Sequence, residues 1–263
     1  MEITVKLTKV EEQNITRAII GKAAEDWLDL SEVDVAVVGA GSSGLTAARY
    51  LAAAKLRTVI FEKRLSFGGG MGGGGMLFHK AVIQSPADKI LKEVKCRLDP
   101  IKSGVYTVDT AEMIAKLATG AIDSGVKIIL GTMVDDVVYR SPPPQVTGIV
   151  VQWTAVNMAN LPVDPLAIKA RAVVDCTGHS AEVLTVASRK VPEFKFTVPG
   201  ESSMWASRAE EMTLQKTGKA CRGLYMAGMA AAALHHTPRM GPLFGGMLLS
   251  GRKVAKLIIR DLT

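Results

Sequence analysis

The chain has 263 residues, 48% of them apolar, with 32 Lys and Arg against 25 Asp and Glu for a net charge of +7. That length suits one α/β domain with a smaller inserted lobe, and no apolar run approaches the roughly 20 residues that span a bilayer, so the chain reads as soluble. Basic residues alternate with acids and aromatics reach only 5%, which argues against a base-stacking nucleic-acid surface and for solvated helix faces.

The opening MEITVKLTKVEEQNITRAIIGKAAEDWLDL mixes acids with apolar residues and lacks the order of a cleaved secretion signal. Cys96, Cys176 and Cys221 are odd in number and far apart, which suggests neither a disulfide framework nor a thiolate zinc site and favours the cytoplasm. Residues 11–30 have helical apolar spacing (Ile15, Ile19, Trp27, Leu30) and are predicted to pack on the chain that follows. Residues 33–64 then read strand, tight turn, helix, strand, the length of one βαβ unit. After a glycine tract at 68–75, helices are predicted over 81–98 and 109–125, the second capped by Asp109 or Thr110. Strands follow over 126–140 and 145–156, joined by a rigid SPPP break suited to a hairpin. A strand at 171–176, a helix at 181–190, a loop-rich stretch at 191–204, a strand at 223–229 and a helix from Gly245 to Leu262 complete the order. It predicts a doubly wound, Rossmann-like parallel sheet, one dinucleotide-binding domain over 1–263 with a small inserted antiparallel β region at about 128–160.

GAGSSG at 39–44 is a G-x-G-x-x-G that follows an apolar strand and opens a helix, and Glu62 stands 18 positions after Gly44 at the end of the second strand. Gly39 permits the tight turn, Gly41 lets backbone approach a pyrophosphate, and Gly44 lets helix and strand pack. Glu62 is placed to accept from ribose hydroxyls and to repel the extra phosphate of NADP, so NAD or FAD is the expected ligand class. The glycine tract either wraps a ligand or forms a mobile lid, and its position just after Glu62 and Lys63 favours the first. His79 within that stretch reads as a surface or structural residue.

This layout is similar to the two-dinucleotide-binding-fold flavoproteins, in which the late strand usually ends Gly-Asp. Here Met229 follows Gly228, and a thioether cannot replace a carboxylate acceptor, which argues against a flavin-dependent oxidoreductase without removing it as the alternative. Longer motifs are more specific. EVDVAVVGAGSSGLTAARYLA, FEKRLSFGGGM, GGGMLFHK, VVQWTAV, VDPL, TGH-x-AE and HTPRMGPLFGGMLLSGRKVA together resemble the archaeal-type thiazole synthases of thiamine biosynthesis, from about residue 10 to the C-terminus.

That resemblance implies an enzyme that consumes NAD as a substrate and builds an ADP-linked thiazole from it with glycine and sulfide, at an Fe(II) site, in a homo-octamer with sites shared between chains. It matches Asp164 and His179 to the iron ligands, the aspartate coming from a neighbouring subunit, and Arg239 to the residue that binds the glycine carboxylate. Ser43, Glu62, Lys63, Gly70, Val134 and Met229 match dinucleotide contacts. Taken alone, Asp164 before a proline reads as a turn residue, His179 as a loop residue, and Arg239 as the partner of some local acid. The family's fungal and plant members carry a sulfur-donating cysteine where this chain has Pro162, and archaeal ones usually a histidine. Proline has neither thiol nor imidazole, so sulfur must come from outside, and a homologue with impaired catalysis is a further alternative.

Overall fold

The structure, a computed structural model, describes residues 7–263; residues 1–6 of the stretch read for a secretion signal lie outside it. Helix α1 (Glu12–Leu30) forms where the spacing predicts it but fully buries only Leu30. Its half-buried Trp27 meets Trp153 edge-on at 5.2 Å and lies 6.3 Å from Phe61. Ile15, Ile19, Ile20 and Leu28 stay exposed, which corrects the expectation that the whole stripe packs on the following chain. Only the last turns reach the sheet.

The strands β1 (Glu32–Val38) and β2 (Thr58–Glu62) flank α2 (Ser42–Ala53) as expected. Their near-continuous burial is the signature of a parallel sheet covered on both faces, and Val35 to Val38 register with Thr58 to Phe61. The single helix predicted over 81–98 is instead β3 (Lys80–Gln84), a turn and the short α3 (Asp88–Glu93). Ala81 and Ile83 are buried while Val82 and Gln84 are half-exposed, a two-residue period, and Pro86 disfavours helical backbone at Ser85. With β4 (Asp99–Lys102) and β5 (Val105–Asp109), β3 forms a three-stranded antiparallel sheet that the sequence reading did not anticipate. Helix α4 (Thr110–Asp123) is capped by Asp109, whose carboxylate accepts from Glu112 N at 3.1 Å.

The strand predicted over 126–140 breaks at Gly131, where φ is +71°. Its first part, β6 (Lys127–Leu130), joins the parallel sheet beside β2; its second, β7 (Thr132–Arg140), pairs antiparallel with β8 (Gln145–Trp153) across the proline-rich turn. After α5 (Thr154–Met158) and an exposed segment comes β9 (Leu166–Asp175), which pairs with β8 through its first residues and with β1 through its later ones. Then follow α6 (Glu182–Lys190), β10 (Ser202–Met204), α7 (Ala206–Lys216), β11 (Gly218–Cys221), β12 (Leu224–Met226), α8 (Met229–Leu234), β13 (Pro238–Arg239) and α9 (Gly245–Leu262). Helices α7 and α8 lie outside the predicted set; the strand expected over 223–229 stops at Met226 because Gly228, at φ +63°, turns the chain into α8. The large sheet runs β11–β12–β9–β1–β2–β6, with β8 and β7 continuing from β9. Helix α9 lies so close on α2 that a Cβ at Gly251 would sit 2.4 Å from the Ser43 carbonyl oxygen. Among the described residues no helix is long and apolar enough to cross a membrane.

Candidate functional site: a glycine-turn cleft with an imidazole at its edge

The C-terminal ends of β1 and β2 meet beneath the GAGSSG turn. Gly41 is the N-cap of α2, and the buried Ser42 and Ser43 form its first turn, so the amides and positive end of a 12-residue helix are available to an anion. Glu62, expected to serve a ribose, is 5% exposed and braces the backbone: one carboxylate oxygen accepts from Ala40 N at 2.8 Å and the other from Arg64 N at 2.9 Å. It thereby ties the glycine turn to the end of β2 and keeps lone pairs free for further donors. The glycine tract lies directly on this turn. Gly68 N donates to Ala40 O at 2.8 Å, and a Cβ on Gly69 would come within 3.0 Å of Gly41 Cα.

On the other side of β1, DCTGHSAE leaves the end of β9. Asp175 is fully buried and accepts from Thr177 N at 2.9 Å, Thr177 Oγ1 at 2.7 Å and Leu184 N at 2.9 Å, so one carboxylate both folds the turn and satisfies the start of α6. Burial pushes its carboxyl above the ordinary value, and the three donors oppose that. Asp175→Ala leaves the buried Leu184 N–H and the half-buried Thr177 N–H without an acceptor and is expected to cost roughly 3 kcal/mol, read as a lowered denaturant midpoint, while Asp175→Asn retains part of the loss.

These elements enclose a cavity of about 730 Å³. Ten of the twelve predicted residues line it: Gly39, Gly41, Ser43, Glu62, Lys63 and Gly70 from the glycine-turn side, Val134 and Met229 from its walls, and His179 and Arg239. Gly44 sits behind the turn as a packing residue. Asp164 is elsewhere: it is exposed, two residues before β9, whereas His179 comes four residues after it. Ten extended residues separate the ends of that strand, about 30 Å at about 3.3 Å per residue. One protomer therefore does not bring the pair together, and among the described residues no group of three or more His, Cys, Asp and Glu side chains is placed to hold a metal.

His179 does fit a nitrogen ligand. It is half-exposed on the cavity wall, and its Nδ1 is hydrogen-bonded to Glu201, so Nε2 is the nitrogen left for a ligand. Glu201 was missed in the sequence because nothing local marks it. Lys63 is ion-paired with Glu182, the first residue of α6 and part of the TGH-x-AE motif. Arg239, exposed on β13, has no carboxylate partner among the described residues, which sets aside the expectation of a local acid. His79 is exposed and outside the cavity, and Cys176 is buried against the glycine turn.

The sheet, the glycine turn on a helix N-terminus and the acid at the end of β2 define a Rossmann-like α/β fold of the two-dinucleotide-binding-fold flavoprotein type. L-proline dehydrogenase from P. horikoshii shares that fold, with a TM-score of 0.55 at 12% identity over 89% of this chain and 95% of its own. Residues 16–244 match the Thi4 family. The chain is 57% identical over 258 residues to the thiamine thiazole synthase of Saccharolobus islandicus (98% of this chain, 97% of the relative) and 54% identical over 262 residues to that of Sulfolobus acidocaldarius (100% and 99%). The crystal structure of THI4 from Thermovibrio ammonificans superposes with a TM-score of 0.94 at 42% identity, covering 97% of this chain and 99% of the other. The chain belongs to the Thi4 family.

Proposed function

We propose that this protein makes the thiazole precursor of thiamine as a sulfide-dependent ADP-thiazole synthase, from NAD, glycine and free sulfide at an Fe(II) site. The observation that carries the reading is the convergence of the GAGSSG turn, Glu62, His179 and Arg239 on one cavity. In it, the N-terminus of α2 faces the NAD diphosphate, Glu62 accepts from ribose hydroxyls, and the unpaired Arg239 fork takes the glycine carboxylate. His179 would hold the iron together with Asp164 of a second copy. When bound, Fe(II) would supply Lewis acidity and, with one carboxylate and one imidazole from the protein, positions left open to substrate. The exposed Met158, Leu161, Val163 and Leu166 around Asp164, and the uncovered stripe of α1, support assembly into a homo-oligomer, an octamer by the family resemblance. Free cysteines support a cytoplasmic setting.

The test is anaerobic incubation with NAD, glycine, sulfide and Fe(II), with mass detection of an ADP-thiazole; its absence beside a competent relative treated in parallel ends the proposal.

The sulfur source follows from the chain's own chemistry. Pro162 offers no thiol. Burial pushes the thiols of Cys96 and Cys221 up to about 11 and about 12, and that of Cys176 further still, so none is a thiolate at neutral pH. Turnover is expected to depend fully on added sulfide, to survive Cys221→Ala, and to leave the intact protein mass unchanged; loss of sulfur from the protein during turnover would refute the external source.

A further inference from the structure

The ladder β10–β13 connects two parts of the cavity that arrive from different ends of the chain. Met204 registers with Arg239 across it, and Glu201, the residue just before β10, is hydrogen-bonded to Nδ1 of His179. Glu201 is held on both sides. Gly200 N donates to Ala233 O at 3.1 Å, Ser202 N donates to Thr237 O at 2.9 Å, and His236 Nδ1 contacts Gly200 O at 2.8 Å. Its side chain is only 18% exposed. An ionised carboxylate can only accept, so in this contact the ring donates from Nδ1, which leaves Nε2 as the nitrogen for a ligand. Among the described residues, Nε2 has no protein partner.

We propose that Glu201 is a positioning residue: it holds His179 in the Nδ1–H tautomer with Nε2 as the coordinating nitrogen, and through β10–β13 it sets that nitrogen relative to the Arg239 guanidinium. A free neutral imidazole in water favours the opposite tautomer, with the proton on Nε2, so an uncontrolled ring would present the wrong nitrogen for much of the time. A carboxylate behind a ligating histidine raises its basicity and fixes the ring plane. Carried by the strand pair that bears Arg239, it also keeps the iron-side nitrogen and the amino-acid-carboxylate anchor on one rigid piece. The inference rests on the reading of His179 as an iron ligand, and its test separates the two.

The metal-free protein, labelled with ¹⁵N-histidine, is measured by solid-state NMR at about pH 8, above the ordinary histidine value of about 6.5. His179 is assigned by its loss in His179→Gln. The parent is expected to show a protonated Nδ1 and an unprotonated Nε2 at His179. Glu201→Ala is expected to move the ring toward the Nε2–H form, and Glu201→Gln, whose amide oxygen still accepts, to retain the parent signature. Anaerobic titration with Fe(II) is expected to show affinity about 10- to 100-fold weaker in Glu201→Ala, with the Gln variant in between. An unchanged His179 tautomer in Glu201→Ala overturns the proposal, as does parental Fe(II) affinity in that variant. A tautomer switch in Glu201→Ala together with a parent that takes up no Fe(II) ends the iron reading and leaves Glu201 as the residue that orients His179.

Discussion

Alanine at Gly44 is expected to cost the fold about 3 kcal/mol or more and to abolish dinucleotide binding with it. An added Cβ there would sit 2.0 Å from the Gly39 carbonyl oxygen and 3.3 Å from Cys176 Cβ. Neither neighbour can yield. Gly39 stands at φ +98°, and a Cβ of its own would lie 2.5 Å from the Cys176 carbonyl oxygen, so the turn is pressed against the end of β9. The clash would lift α2 from the sheet and carry away the amides proposed to face the diphosphate. Gly41→Ala separates binding from folding. Its φ is an ordinary −82°, and an added Cβ meets nothing within 4 Å. Stability within about 0.5 kcal/mol of the parent is expected, with NAD affinity sharply reduced, because the methyl occupies the approach to the pyrophosphate. Denaturant midpoints and calorimetric NAD titration read both variants; a Gly41→Ala protein that binds NAD like the parent would remove the pyrophosphate from this turn.

Mixing two inactive proteins is expected to restore activity. Asp164→Ala and His179→Ala should each make no thiazole, since each removes one of the two proposed iron ligands. Because β9 holds the two residues at opposite ends, the proposed two-ligand site draws Asp164 from one copy and His179 from another. Coexpressed in equal amounts and assembled at random, the two variants should regain about a quarter of the parental sites, those pairing the intact residue of each chain. If the coexpressed mixture stays as inactive as either variant, while its mixed composition is verified by native mass spectrometry, the shared site is wrong.

The parts that local sequence made legible are those whose partners are near in the chain. β1, the GAGSSG turn, α2 and β2 form a single consecutive unit, and the Asp109 cap reaches only three residues to Glu112. The AVIQ run shows the limit. Four residues cannot distinguish a strand from a helix, and the element that decides for β3 is β5, about 25 residues on. Gly131 similarly ends one strand and begins another in a different part of the sheet, a choice made by what β2 and β8 offer and not by the residues themselves.

By itself the sequence determined that a G-x-G-x-x-G turn joins the first strand to a helix, that Pro162 cannot donate sulfur, and that the long ordered motifs are those of a thiazole-synthase family. Only the tertiary structure decided that α1 leaves its apolar stripe uncovered, that Glu62 braces the turn it was expected to serve as a ribose acceptor, that Glu201 stands behind His179, and that Asp164 lies a strand's length away from it. The reason is distance along the chain: hydrogen-bond periods, caps and turn glycines act over a few residues and leave a local trace, whereas a carboxylate 22 residues from its imidazole, or two ligands at the ends of one strand, acquire their relation only when the sheet and the loops around it have packed.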